Sequence, residues 1–225
     1  MLVGEAKIPE GLRVYAIGDV HGCDQLLAAA HSAIDNHRST SPSPSHRIVH
    51  LGDYGDRGPD SAAAIGRPAA LSDDPNIIAL RGNHDPMMLD FLADPDTCGA
   101  VFLANGGKET LRSYGIRTRG MNYAALGAAL AAALPANHLN FLQNLAFSVQ
   151  FGDYFFCHAG IRPGVPLAAQ DPHDLLWIRE EFLSDQRDHG VVVVHGHTPT
   201  DGSRPEIHPN RVALDTGAYF GGPLT

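Results

Sequence analysis

The stretch LGDYGDRGPD, Leu51–Asp60, crowds Asp53, Asp56 and Arg57 between glycines directly after an apolar run. Gly, Asp and Pro also build ordinary turns, so the meaning of these side chains depends on what else the chain brings. Asp19 and His21 in GDVHG are two residues apart, and on an extended strand end such side chains face the same way. Asn83 and His84 stand together in RGNHD, His158 in CHAG and His197 in GHTP. Each is a weak signal alone. Taken in order, a mixed set of Asp, His and Asn donors on separate strand tips is what a dinuclear site for manganese, iron or zinc requires.

The elements that must position these residues share one device. Six short apolar runs, RVYAIGDVHG, RIVHLGDYGDRG, NIIALRGNHD, YFFCHAG, VVVVHGHTP and RVALDTGA, each end in glycine plus a polar residue able to bind metal or phosphate. Six strands are therefore predicted to deliver chemistry at their carboxyl ends, where open α/β sheets hold ligands. Helical segments alternate with them, CDQLLAAAHSAIDNH after the first and PMMLDFLA after the third, which gives an α/β class. NYAALGAALAAALPANHLNFLQNL reads as two helices broken at Pro135 and packed as a cap. RSTSPSPSH, Arg38–His46, reads as a solvated Ser/Pro loop. The polar strand ends run from Asp19 to Asp215, so residues 1–225 are expected to form a single domain around one site.

Composition narrows the partners. The chain has 225 residues, is 44% hydrophobic and carries no long uninterrupted apolar segment, which suits a globular protein without a membrane partner. A formal net charge of −9 argues against a nucleic-acid partner, because phosphate backbones call for a clustered positive surface. Of sixteen basic residues only Lys7 and Lys108 are lysines, so arginine supplies nearly all the cationic chemistry. The first residues lack a basic region followed by an apolar stretch and a cleavage site, so the expected location is cytoplasmic. Cys23, Cys98 and Cys157 suit reduced thiols.

The ordered motifs GDVHG, GDYGDRG, RGNHD, ANGGKETL, CHAG, LLWIREEF, GHTP and LDTGA resemble the phosphoprotein phosphatase branch of the calcineurin-like metallophosphoesterases, most closely the bacterial and phage lambda-type Ser/Thr protein phosphatases. The resemblance runs from about Tyr15 to the C-terminus. It implies two β-sheets sandwiched between helices, with metals at the strand ends. It implies Asp19 and His21 on a first metal, Asp53 bridging, and Asn83, His158 and His197 on a second, the ions being manganese with iron or zinc as alternatives. Asp56 is implied to orient His84 as general acid, while Arg57 and Arg179, with Asn83, bind the substrate phosphate. The implied reaction is direct attack of metal-activated water on a phosphoprotein or phosphopeptide ester, without a phosphoenzyme.

The remaining candidates receive structural readings. His195 finishes a buried strand, Asp85 and Asp215 support ligands, Trp177 is a core anchor that aims Arg179, and Arg81 makes a structural pairing. His31, His37, His46, His50, His138, His173, His189 and His208 are surface or satisfied core. The chain departs from the resembled pattern at Gly55, where a bulkier apolar residue is usual, so the loop holding Asp56 is expected to be less rigid. It also stops at DTGAYFGGPLT, where a further strand usually follows, so either one sheet edge is short or the sequence is trimmed. Symmetrical dinucleoside tetraphosphatases, which share GDVHG, GNHD, HAG and LDTG, are the alternative reading, together with a broad hydrolase of nucleotides or small phosphoesters using the same dinuclear site. The tetraphosphatases usually lack the Asp56 equivalent and are longer.

Overall fold

The computed structural model describes all of Met1–Thr225. Runs rich in β-branched and aromatic residues form the strands. The first sheet is parallel, with β1 (Leu12–Ile17), β2 (Ser45–His50) and β3 (Ile77–Ala79) in that spatial order. Ile17 lies opposite His50 and His50 opposite Ala79, so the three strands end level. The second sheet has the order β4-β5-β6-β8-β7, from β4 (Ser148–Phe151), β5 (Tyr154–Cys157), β6 (Val192–His195), β7 (Glu206–Ile207) and β8 (Arg211–Ala213). Its three central strands are parallel, and the edge strands β4 and β7 run antiparallel to them.

The two-residue period of a strand explains the layers. Val49, Phe156 and Val194 point between the sheets, where they meet Leu51, Leu80 and Leu214. Their neighbours Ile48, Phe155 and Val193 point outward. Outside the first sheet pack α1 (Asp24–Thr40), α2 (Ser61–Ala69), α3 (His84–Ala93), α4 (Pro95–Phe102), α5 (Lys108–Ser113), α6 (Tyr123–Ala133) and α7 (Ala136–Gln143), through Leu27, Ile65, Met88, Phe91, Phe102, Leu111, Leu126 and Phe141. Outside the second lie α8 (Pro172–Trp177) and α9 (Glu180–Leu183), through Leu175 and Phe182. The fold is thus two sheets between helices. Each fully buried large apolar side chain in these layers contributes about 1.5–3 kcal/mol.

Pro135 separates α6 and α7 at a 105° bend, and no single helix is long and apolar enough to cross a membrane. Eight strands form where the sequence predicts six. β4 and β7 were missed because neither ends in a chemically distinctive residue. The predicted Ser/Pro loop is shorter than expected. α1 continues through Arg38–Thr40, where the Ser39 and Thr40 hydroxyls donate to the Asn36 carbonyl, and β2 takes Ser45 and His46 through pairing with Leu12 and Arg13. Only residues 41–44 connect them.

Candidate metal centre

Because the parallel strands end level, the residues just beyond their tips converge. Asp19 follows β1, Asp53 follows β2, Asn83 and His84 follow β3, His158 follows β5, His197 follows β6 and Asp215 follows β8. The loops turn sharply. Of six non-glycine residues with positive φ, five are His21 (42°), Asp53 (52°), Asp56 (66°), Arg57 (65°) and His197 (66°). Such conformations cost of order 1–3 kcal/mol each and persist only where surrounding structure imposes them. Asp85 is one such support, since its carboxylate accepts from the amides of Gly82 (2.7 Å), Asp53 (3.2 Å) and Tyr54 (3.2 Å). Gly196 and Gly82 allow the close approach, because a Cβ there would overlap the carboxylates of Asp19 and Asp53.

The six expected ligands are all buried and meet at one place. His21, Asp53 and His84 offer ligand atoms within 4.8 Å of one another, as do Asp19, Asp53 and His158, so Asp53 belongs to both groups. His21 Nδ1 donates to the Gly55 carbonyl (3.0 Å) and His158 Nδ1 to the Leu51 carbonyl (2.9 Å). That fixes both tautomers with the Nε2 lone pairs toward Asp53 Oδ2, at 3.4 and 3.5 Å. Asn83 Oδ1 faces His158 Nε2 at 2.9 Å and His197 Nδ1 at 2.8 Å, and His197 Nε2 is buried without a partner.

The electrostatics follow from burial. Burial lowers His21 to about 3 and His197 to about 2, and lowers His158 as well, so all three rings are neutral, the form that ligates metal. Burial also raises Asp19 well above the usual carboxylate range, reinforced by Asp215 and then Asp53. For Asp53, burial pushes upward, and the His84 amide, donating to Oδ1 (2.9 Å), opposes it. Converging lone pairs beside mutually repelling buried carboxylates are relieved by cations, so the donor set fits divalent metal.

Beside this centre stands a second group. His84 Nδ1 donates to Asp56 Oδ2 (2.8 Å). The Thr110 hydroxyl donates to Asp56 Oδ1 (2.6 Å), and the Asp56 amide donates to Ser61 Oγ (2.9 Å) and Thr110 Oγ1 (3.0 Å). These bonds hold the loop that Gly55 was expected to loosen. Burial alone would lower His84, but Asp53 and Asp56 prevail and its pKa is raised. Arg57 donates to His84 Nε2 (2.8 Å), His21 Nε2 (3.2 Å) and Tyr219 Oη (2.9 Å), and its guanidinium lies 4.9 Å from the Tyr219 ring centre. The Arg57 bond to His84 places the imidazole proton on Nδ1 in this arrangement. Arg179 is exposed at the rim and donates to Thr198 Oγ1 (3.1 Å), next to His197.

Some readings need correction. Trp177 is not a core anchor: it ends α8, is 40% exposed and sets its ring edge-on to His197 at 6.0 Å. His50 is neither surface nor satisfied, since Nε2 meets His31 Nε2 at 3.1 Å while Nδ1 is buried and unpartnered. His195 is fully buried at the end of β6, with Nε2 unpartnered. Arg81 is structural, donating to the Gln143 carbonyl (2.9 Å). Sequence reasoning assigned no role to Thr110, Ser61 or Tyr219. Tyr219 could have been flagged, because it follows the β8 tip as the other site residues follow theirs.

The sequence pattern of the calcineurin-like phosphoesterases matches residues 12–222. A serine/threonine-protein phosphatase 1 from Salmonella typhimurium strain LT2 is 30% identical over 94% of this chain and 89% of its own length. An asymmetrical bis(5'-nucleosyl)-tetraphosphatase, PrpE, from Oceanobacillus iheyensis is 24% identical over 95% of this chain and 87% of its own. Among solved structures, one described provisionally as a diadenosine tetraphosphatase superposes with a TM-score of 0.61 at 19% identity, covering 95% of this chain and 90% of its own. A cold-active protein tyrosine phosphatase gives 0.58 at 14% identity, covering 97% and 75%. Ordered motifs, a layered fold with its donors at level strand ends, and a match spanning nearly the whole chain lead to one statement: this protein belongs to the calcineurin-like phosphoesterase family.

Proposed function

We propose that this metallophosphoesterase is a phosphomonoesterase acting on serine and threonine phosphoesters of proteins. The observation that carries the reading is the buried Asp56, bonded on one oxygen to His84 and on the other to Thr110. A serine or threonine alkoxide is a strong base and leaves only if protonated, so an oriented imidazole beside the site has a use there. The leaving phosphate of a nucleotide anhydride is a far weaker base and gains much less. The match to a serine/threonine phosphatase over nearly its whole length supports the same reading.

In this scheme Asp19, His21 and Asp53 would hold one cation and Asp53, Asn83, His158 and His197 the other. Bound there, two divalent ions, manganese by preference, supply Lewis acidity and a water made nucleophilic near neutral pH. The chain's own residues do the rest. Arg57, bonded here to neutral imidazole nitrogens, gains a better acceptor when a phosphate dianion enters, because a guanidinium matches phosphate oxygens with two bonds. Its transfer to the phosphate frees His84 Nε2 to carry a proton toward the leaving oxygen. Arg179 grips from the opposite rim, and Asp56 stabilises the imidazolium.

One observation favours the second reading, a dinucleoside tetraphosphatase. Trp177 beside His197 and Phe220, 68% exposed next to Tyr219, place aromatic faces around the site on which a base could stack. The tetraphosphatase relatives support it. The test is turnover of a phosphoserine peptide, nitrophenyl phosphate and diadenosine tetraphosphate by the manganese-supplemented enzyme at matched concentrations. The higher kcat/KM should fall on the peptide. A higher value on the tetraphosphate transfers the assignment to the second reading.

A further inference from the structure

At the opposite end of the second sheet from the metal centre lies a cavity of about 340 Å³, between the residues after α9 and the turn joining β7 to β8. Its wall is mostly polar, formed by Ser184, Asp185, Gln186, His208, Asn210 and Arg211, with Leu183 and Pro209 as its apolar members. Arg211 opens β8 whereas Asp215 follows it, a separation of about 13 Å along an extended chain.

Arg211 is the unusual group. It is only 8% exposed, yet no carboxylate lies within ion-pair range, and its one hydrogen bond runs from Nη2 to the Leu183 carbonyl (3.2 Å). Nε and Nη1 bond no protein atom and neither is sealed away from solvent, and Arg211 lines the cavity. The nearby acids are otherwise engaged. Asp185 takes Nε and Nη2 of Arg187 (2.8 and 2.5 Å), and Glu206 takes His208 (3.0 Å). A buried cation without a direct ion-pair partner is costly, and burial pulls Arg211 below its ordinary pKa, with the Glu206 charge opposing it in part. The Leu183 carbonyl bond limits its movement and leaves the rest of the planar fork available.

We propose that this cavity is a second ligand site, for a small oxyanion bearing a phosphate or carboxylate group, gripped by the free edge of the Arg211 guanidinium. Nη2 spends one of its two hydrogens on Leu183, so its second hydrogen, with that of Nη1 or Nε, still forms a two-donor edge, which suits both groups because each presents two oxygens at matching spacing. The volume, at the lower end of small-molecule sites, suits one compact metabolite and excludes a dinucleotide. The amide of Gln186 adds a neutral donor at the mouth, whereas the Ser184 hydroxyl is spent on the Glu180 carbonyl (2.7 Å). The site is independent of the reaction assigned to the metal centre.

The test is segment-resolved hydrogen exchange on the full, manganese-loaded chain, titrated with sodium phosphate and separately with sodium malonate at constant ionic strength. Phosphate also reaches the metal centre, but that event reads out in peptides covering residues 51–60 and 81–86, apart from residues 183–190 and 206–212. We expect saturable protection of the latter two segments by at least one anion. Protection by both assigns the shared oxyanion chemistry, and by phosphate alone narrows it to phosphates. Arg211→Gln should weaken that protection at least tenfold while leaving the phosphate response of the metal-centre peptides unchanged. If that variant fails to fold, Gln186→Glu, an exposed change that sets a negative charge at the mouth, should weaken it in the same sense. Absence of protection with both anions, or protection undiminished in the folded variant tested, overturns the proposal.

Discussion

Thr110→Val isolates the support behind His84. The two side chains have nearly the same shape, Thr110 is fully buried, and only its hydroxyl is lost. That hydroxyl donates to Asp56 Oδ1 at 2.6 Å and accepts from the Asp56 amide. The amide keeps Ser61 Oγ, so the main loss is the bond to the buried carboxylate, with the weaker Ser61–Thr110 hydroxyl pair (3.0 Å) lost beside it. Such bonds contribute about 1.5–3 kcal/mol, which in a domain of this size lowers the melting temperature by roughly 3–12 °C. The catalytic effect should be selective. Burial already raises Asp56, while bonds from His84 and Thr110 pull it down. Without Thr110 the carboxyl rises further and gives His84 less charge support. The His84 pKa, raised in the intact protein, should therefore fall, and the alkaline limb of the kcat profile should move to lower pH. On a phosphoserine peptide kcat should drop about tenfold, short of the roughly 10²–10⁴ range for complete loss of a general acid. Nitrophenyl phosphate, with its weakly basic leaving group, should change less, and metal content should hold. Equal slowing of both substrates at unchanged pH dependence would refute the reasoning, because the Asp56–His84 pair would then act on something other than the leaving group.

Four further outcomes are expected. His84→Asn should lower kcat on the phosphoserine peptide by about 10²–10⁴ and on nitrophenyl phosphate clearly less; stopped-time assays on both decide it. Asp53→Asn should lose metal and activity together, since Asp53 belongs to both donor groups; elemental analysis showing two ions per chain would exclude a bridging role. Tyr219→Phe keeps the ring that faces Arg57 but removes the hydroxyl, so KM should rise a few-fold with kcat nearly intact, and an unchanged KM argues that the contact is incidental. His50, fully buried, has its pKa lowered by burial and then by His31, to about 3 against an ordinary 6.5. The unfolded chain therefore binds the extra proton first, and stability falls as pH drops from 6.5 toward 3, by about 2 kcal/mol at pH 5 from this group. Denaturant titrations should show a shallower acid slope in His50→Gln, and an unaltered slope counts against the buried neutral ring.

Legibility in the sequence divides along a physical line. The strands carrying chemistry were readable, because a β-branched run ending in glycine and a metal or phosphate donor is a local pattern. The convergence of Asp19, Asp53, Asn83, His158 and His197 followed from that pattern and from the level ends of parallel strands. Contacts across long sequence separations left no such trace. Thr110 reaches Asp56 across 54 residues and Tyr219 reaches Arg57 across 162. Trp177 misled for another reason: apolar neighbours suggest a core side chain, but the helix ends at the rim of the site and leaves the indole there. His50 looked ordinary because an orphaned nitrogen is a property of the packed environment and not of residue type.

The division of the donors between two sheets has a consequence for biosynthesis. Asp19, His21, Asp53 and Asn83 lie beyond the first sheet, while His158 and His197 lie beyond strands of the second. During translation the first group emerges long before the second, and no amount of local folding at the amino-terminal half can supply His197. A nascent chain stalled before β6 can therefore enclose only part of a cation's coordination shell. A cation that takes donors from both groups can be held in full only once the second sheet has docked.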